Sequence, residues 1–409
     1  MTLDLNFIRS QFPAFDVPDL QGQAFFENAG GSYTCSQVID RLTRYYTERK
    51  VQPYGSFAAS VVAGEEMDEA RRRLAAILGV ATDTLSFGPS TTQNTYVLAQ
   101  AFGQMLKPGE AVIVTNQDHE ANSGPWRRLA DRGIEIREWQ IDPDTGHLDP
   151  DKLEMLLDDT VRLVCFPHCS NVVGEINPVT EITALAHAAG AFTCVDGVSY
   201  APHGFPNIDA LGADIYLFSA YKTFGPHQGI MVVQQALAEL LPNQGHHFNG
   251  GQLYQRFTPA GPDHAQIAAS AGMADYVDAV FAHHFPQDVG ATPVMRGKAV
   301  HDLFRAHETE LLGQLLDAVK DKNSVRLIGP EKAKDRAPTV ALALTRDPVD
   351  VAQALSEQGV MAGGGDFYAG RVLSGLGLDP QKGVLRLSFT HYTSADEMNQ
   401  LLTALDRVL

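Results

Sequence analysis

Lys222 stands in the string Ser219-Ala220-Tyr221-Lys222-Thr223-Phe224-Gly225, directly after the apolar run Ile215 to Phe218. Asp196 closes a second run, Ala191-Phe192-Thr193-Cys194-Val195. An amine and a carboxylate at the ends of two apolar runs are what aldehyde chemistry on a pyridine ring needs. The amine can condense with an aldehyde, and a buried carboxylate can keep the pyridine nitrogen protonated so that the ring withdraws electrons. Pyridoxal phosphate carries both groups, so the pair points to amino-acid chemistry. Asp196 could also be a plain helix cap and Lys222 an exposed side chain. Their places at two strand ends that face one crevice favour catalysis for both.

Other residues fit the same cofactor. Ser90, Thr91 and Thr92 follow a short apolar stretch ending at Phe87 and precede a helical run through Ala99. Hydroxyls and free backbone N–H groups then converge at a helix start, where a dianionic phosphate is stabilised. The plain alternative is a helix cap, since Ser and Thr cap helices widely. His119 lies just beyond the apolar run Ala111 to Thr115, where the C-terminal end of a parallel strand opens into a ligand crevice. Its flat ring could cover the cofactor ring, or could be that of a solvated loop histidine. Asn171 could donate to a phenolic oxygen or stabilise the turn before Gly174. Cys169, beside it, reads as a small buried hydrophobe rather than a nucleophile.

Composition bounds the rest. With 409 residues and 44% hydrophobic content, two or three domains with a large core are expected. A net charge of −18 argues against sequence-independent binding to nucleic acid or to an anionic membrane. Residues Met1 to Arg9 lack a basic start followed by an apolar stretch, and no run approaches the ~18 apolar residues of a membrane span. A soluble, cytoplasmic protein is expected. The four cysteines are too sparse for a disulfide scaffold, and Cys165 with Cys169 has no second pair at metal-binding spacing, so no metal is expected.

The elements that must position these residues show in the periodicity. Apolar residues recur at helical spacing from Val61 to Ile77, and short apolar runs then alternate with helical stretches such as Thr180 to Ala189. The runs are Ala111 to Thr115, Val161 to Phe166, Phe192 to Val195, Ile215 to Phe218 and Ile230 to Val233. This alternation predicts an α/β fold with a mostly parallel sheet covered on both faces. The Gly- and His-rich stretch from Asn243 to His264 breaks the pattern and reads as a binding segment. After Arg296 come a strand at Val340 to Leu344 and a closing helix from Ala395 to Val408. The expected division is an N-terminal segment 1–20 packed on a small domain, a large cofactor domain 21–290, and a small C-terminal α/β domain 291–409.

The order of motifs resembles the class V aminotransferase and cysteine desulfurase family over nearly the whole chain. Phe26-Glu27-Asn28-Ala29-Gly30-Gly31 is similar to its N-terminal segment, and Gly88-Pro89-Ser90-Thr91-Thr92-Gln93-Asn94 to its phosphate-binding turn. Asp118-His119-Glu120-Ala121-Asn122 resembles the segment with its ring-stacking histidine, and His168-Cys169-Ser170-Asn171 the segment whose Asn approaches the cofactor hydroxyl. The resemblance implies the fold type I architecture of pyridoxal phosphate enzymes, with a seven-stranded-type sheet in the large domain, and a homodimer. It adds Ser219 and Tyr221 to the phosphate site, and Ser199 joins the cofactor-binding set. Leu385-Arg386-Leu387-Ser388 resembles the segment whose Arg holds the substrate α-carboxylate, a task suited to a guanidinium's two parallel hydrogen bonds. Asn28 and Tyr368 complete the expected substrate contacts.

Departures from the family pattern limit the reaction. Desulfurases of the family carry a nucleophilic Cys on a mobile loop ahead of that Arg. This chain reads Gly363-Gly364-Gly365-Asp366-Phe367-Tyr368-Ala369-Gly370 there, and no Cys follows Cys194. Ala260-Gly261-Pro262-Asp263 stands where relatives often present Gly-Thr to the neighbouring subunit's phosphate. Transamination of a small amino acid is the expected reaction, because it needs only Lys222 to move a proton. β-Elimination and epimerisation are the runners-up, and a non-catalytic cofactor-binding regulator is the remote alternative.

Overall fold

The computed structural model describes residues 2–320 and 322–409, so Met1 and Asp321 lie outside the described residues. Its centre is a seven-stranded sheet built from β1 (Leu85–Gly88), β2 (Ala111–Thr115), β3 (Glu135–Trp139), β4 (Val161–Pro167), β5 (Phe192–Asp196), β6 (Ile215–Ser219) and β7 (Gly229–Val233). The spatial order is β1-β7-β6-β5-β4-β2-β3. β7 pairs antiparallel with both β6 and β1, while the other pairings are parallel. Every residue of β1, β2, β6 and β7 is buried, as strands covered on both faces must be. β3 was not among the predicted runs. It is an edge strand in which Glu135, Arg137 and Glu138 interrupt the apolar pattern, and only Trp139 is buried.

Two apolar clusters cover the faces of this sheet. One includes Trp126, Phe102, Leu98, Leu163 and Leu217, and the other Tyr216, Phe218, Val164, Ile113, Tyr276 and Phe304. A third cluster forms the smaller body, where strands β8 (Val325–Ile328), β9 (Thr339–Leu344), β10 (Gly363–Gly365) and β11 (Val384–Ser388) make an antiparallel sheet in the order β10-β11-β9-β8. The closing helix, Ala395–Val408, starts on a capping box in which Ser394 and Glu397 satisfy each other's backbone N–H groups.

The chain crosses between the two bodies more than once. Helix Pro293–Val319 puts Val300 and Phe304 into the large core and Leu311, Leu312, Leu315 and Leu316 into the small one. The N-terminal segment touches both bodies: Ile8 and Phe12 belong to the large core, while Arg9 pairs with Glu397 of the closing helix at 2.8 Å. Ala24 and Phe26 then join the small core, and Ala24–Phe25 pairs in parallel with Val360–Met361. This crossing brings Glu27 beside β11. Among the described residues no helix is long and apolar enough to cross a membrane.

Candidate active site

The parallel strands β4, β5 and β6 end at one edge of the sheet, and the residues just past their ends converge there. All ten residues expected at the cofactor line one cavity: Ser90, Thr91, Thr92, His119, Asn171, Asp196, Ser199, Ser219, Tyr221 and Lys222. Crevices outside the carboxyl ends of the strands are where open α/β sheets bind ligands. The wall also includes Ala121, Cys169, Val198 and His227. His227 was not predicted. It follows Gly225-Pro226, and the stacking of its ring on Tyr221 at 4.7 Å is set by the turn between β6 and β7, which no local pattern announces.

One end of the cavity suits a phosphate. Helix Thr91–Met105 begins there, with Ser90 as its N-cap accepting from the Gln93 N–H at 3.2 Å. Thr91 Oγ1 and Ser219 Oγ lie 2.8 Å apart, tying the helix start to the end of β6. Gly229 of β7 passes so close beneath that a Cβ there would lie 2.4 Å from the Ser90 carbonyl carbon, so only glycine fits. First-turn N–H groups without intrahelical partners and the positive end of the helix dipole then face the cavity.

At the other end, Asp196 is 5% exposed and its Oδ1 accepts from the Val198 N–H at 2.8 Å. Burial raises its carboxyl to about 6, against the opposing pull of that N–H and of Lys222. Among the described residues no cation forms an ion pair with this buried carboxylate, and a pyridinium nitrogen would supply one. Asn171 gives the second sign of fit. Its Nδ2 donates to the Phe367 carbonyl at 2.9 Å, while its Oδ1 is buried with no hydrogen-bond partner among the described residues. These residues fit pyridoxal phosphate at both ends and along one side.

Lys222 is half-buried, and desolvation and the Arg386 charge depress its ammonium to about 8, against the pull of Asp196 and Glu27. More of it is neutral near physiological pH than of an ordinary lysine. A neutral amine attacks an aldehyde, so cofactor capture by stripped protein is expected to accelerate up to about pH 8 and then level off. The growth of visible absorbance after adding pyridoxal phosphate across a pH series checks this. A rate still climbing at pH 10 would mean an unperturbed lysine.

His119 accepts the Ala121 N–H on Nδ1 at 3.0 Å, and burial and the charges of Lys222 and Arg386 lower its pKa to about 3. Its ring is therefore neutral, with the proton on Nε2. The preceding Asp118 holds the loop, accepting from Thr115 and Asn122 at 3.3 Å, and burial and the neighbouring Asp196 push its carboxyl upward.

A wider opening toward solvent is lined by Glu27, Gly30, Tyr96, His119, Asn171, Lys222, Phe367, Tyr368 and Arg386. Arg386 is 3% exposed. Asn28, expected at the substrate, is instead consumed within the protein: its Nδ2 reaches the Phe25 and Ser388 carbonyls at 3.3 and 3.4 Å, and its Oδ1 accepts from Tyr392. The residue of that segment on the cavity wall is Glu27. Tyr368 lies on the wall but is 74% exposed, its ring tilted 43° against His119 at 5.4 Å. Phe367 and Tyr368 both take left-handed backbone conformations, φ 52° and 56°, which cost non-glycine residues roughly 1–3 kcal/mol each. The loop is held there by the Asn171 amide on the Phe367 carbonyl and by the Glu120 N–H on the Tyr368 carbonyl at 2.8 Å.

All four cysteines are buried. Cys169 is the one on the cofactor cavity wall, and burial pushes its thiol up to about 12. Cys169→Ala is expected to keep turnover within about threefold of the parent, whereas loss of a nucleophile costs far more, on the order of 10⁴-fold or above. Steady-state rates of the two proteins check this.

The Aminotransferase class-V family profile matches residues 24–268 and 295–401. The chain is 33% identical over 98% of its length to the aminotransferase-like protein FGM3 of Gibberella zeae, covering 98% of that protein. It is 29% identical over its full length to a cysteine desulfurase of Serratia proteamaculans, covering 99% of it. Among solved structures, the apo cysteine desulfurase of Thermococcus onnurineus NA1 superposes with a TM-score of 0.85 at 23% identity, over 100% of this chain and 98% of that one. The Escherichia coli cysteine desulfurase CsdA gives 0.83 at 22%, over 100% and 99%. These likenesses confirm the fold type I architecture expected from the motifs. With a phosphate end, a buried carboxylate and a depressed lysine around one cavity, the chain belongs to the class V aminotransferases, a family of pyridoxal phosphate enzymes.

Proposed function

We propose that this enzyme is an aminotransferase acting on a small amino acid. The observation that carries the reading is Lys222, depressed to about 8 and sharing the substrate opening with Arg386, while the cysteine on the cofactor wall is held as a thiol at about 12. When bound, pyridoxal phosphate supplies an aldehyde that captures amines and a ring that accepts the electron pair of a bond broken at the α-carbon. The protein's own groups do the rest. Arg386 grips the α-carboxylate and so sets which α-carbon bond faces the ring. Lys222 would take the proton from the substrate α-carbon as general base and give it up as general acid at a different carbon from the one it left, a contribution of about 10²–10⁴-fold. Asp196 would hold negative charge at the far end of the cavity, and neutral His119 would cover the ring without adding charge. The Phe367-Tyr368 turn walls the opening and places no thiol there.

Ser90, Thr91, Thr92, Ser199, Ser219 and Tyr221 are proposed to hold the phosphate and ring, and Asn171 the phenolic oxygen. The phosphate end continues into an apolar opening lined by Tyr96, Phe257 and the exposed Ala260-Gly261 turn, and a second subunit is proposed to cover it. The enzyme is proposed to work as a homodimer in the cytoplasm.

The test is product identity. An amino-acid donor and a 2-oxo acid acceptor are expected to exchange amino groups with one new 2-oxo acid per new amino acid and no ammonia. Ammonia formed without an acceptor would make the enzyme a lyase.

A further inference from the structure

Arg386 is proposed above to hold the substrate carboxylate, and in the structure its fork is already engaged. Nη2 donates to Glu27 Oε1 at 2.6 Å, Nη1 reaches the Asn171 carbonyl at 3.4 Å, and Phe367 covers one face at 3.8 Å. The two partners differ in exposure. The arginine side chain is 4% exposed and that of Glu27 is 28% exposed, toward the substrate opening.

The pairing is incomplete. Among the described residues, Glu27 Oε2, Arg386 Nε and Asn171 Oδ1 are all buried without hydrogen-bond partners. The seat of the Glu27 carboxylate is also made by missing side chains: a Cβ at Gly30 would lie 2.9 Å from Oε1, and one at Gly363 would lie 3.0 Å from Oε2. Two glycines far apart in sequence thus leave room for a carboxylate against Arg386, and that carboxylate bonds it through a single oxygen.

We infer that Glu27 is a resident stand-in for the substrate carboxylate, pairing Arg386 between turnovers and giving way to the incoming acid. The inference rests on Arg386 being the carboxylate site. Exchange of one carboxylate for another avoids the cost of a buried, unpaired guanidinium. It also selects: Glu27 uses one oxygen, so a ligand that offers both oxygens to the fork displaces it, and a ligand without a carboxylate does not. Glu27 therefore sets carboxylate selectivity by competition, and every carboxylate binds less tightly than Arg386 alone would allow.

Propionate, which has the carboxylate and no amine, probes this in the holoenzyme by titration calorimetry without any turnover. Glu27→Gln is expected to tighten propionate about tenfold and leave neutral propionamide unchanged, with a parallel fall in KM for amino-acid donors. Glu27→Ala is expected to shift propionate in the same direction, which guards against a glutamine that bonds Arg386 in turn. Equal or weaker propionate binding in both variants would overturn the inference and make Glu27 a support that positions Arg386. Arg386→Leu separates this from the reading beneath it: full propionate binding in that variant would show that the carboxylate site lies elsewhere.

Discussion

Lys222→Ala is expected to lower turnover by about 10⁴-fold or more while the fold is kept. On the proposed mechanism the change removes both the amine that would capture the cofactor and the base that would move the α-proton, and general acid-base transfer alone is worth about 10²–10⁴-fold. The backbone at this position is held without the side chain, because Ser32 Oγ donates to the Lys222 carbonyl at 2.5 Å. The unfolding midpoint should therefore stay close to that of the parent when both are stripped of cofactor, with the parent gaining the larger increase on adding it. Steady-state rates, together with the visible spectrum of the bound cofactor, check both halves. A variant that kept the parental spectrum and rate would remove Lys222 from the chemistry, and with it the account of the site.

Asp196→Asn is the second large effect, with kcat expected to fall by about 10²–10³-fold, the scale on which loss of one preorganised electrostatic group is felt. Asparagine keeps the shape and can still accept the Val198 N–H, so the variant tests charge rather than packing. The wild-type carboxyl, raised to about 6 by burial, gives a further sign. Above that pH it is ionised and able to hold a pyridinium, and below it the group protonates, so on top of the loss that protonation of Lys222 imposes on both proteins, cofactor affinity of the wild type should fall more steeply below about pH 6 than that of the variant. Fluorescence titrations of stripped protein with pyridoxal phosphate at several pH values read this difference. Equal acid-side losses in both proteins would assign the effect to another group.

The strands that build the site were legible because they are buried on both faces. The runs Ala111 to Thr115, Val161 to Phe166, Phe192 to Val195, Ile215 to Phe218 and Ile230 to Val233 are interrupted only by Arg162 and Thr193, each falls within an observed strand, and their ends locate His119, Asp196 and Lys222 at one crevice. Glu135–Trp139 was missed because an edge strand alternates with charge, and Gly363–Gly365 because three glycines carry no side-chain pattern at all. The latter strand exists through its pairing with Val384–Ser388. The substrate side was less legible for the same reason. Glu27 and Asn28 are neighbours in sequence, and which of them reaches the cavity depends on the Glu27–Ser388 bridge to a strand at the other end of the chain. No local signal distinguishes them. His227 likewise depends on the turn between two strands.

The most direct test of the central claim is the absorbance spectrum of the purified holoenzyme before and after single amino acids are added with no 2-oxo acid present. An aminotransferase predicts that one donor converts the aldehyde form of the cofactor to its amine form and releases one equivalent of 2-oxo acid per site, after which the reaction stops. A spectrum that stays in the aldehyde form while ammonia accumulates over many turnovers, or while the amino acid only changes hand, would contradict it.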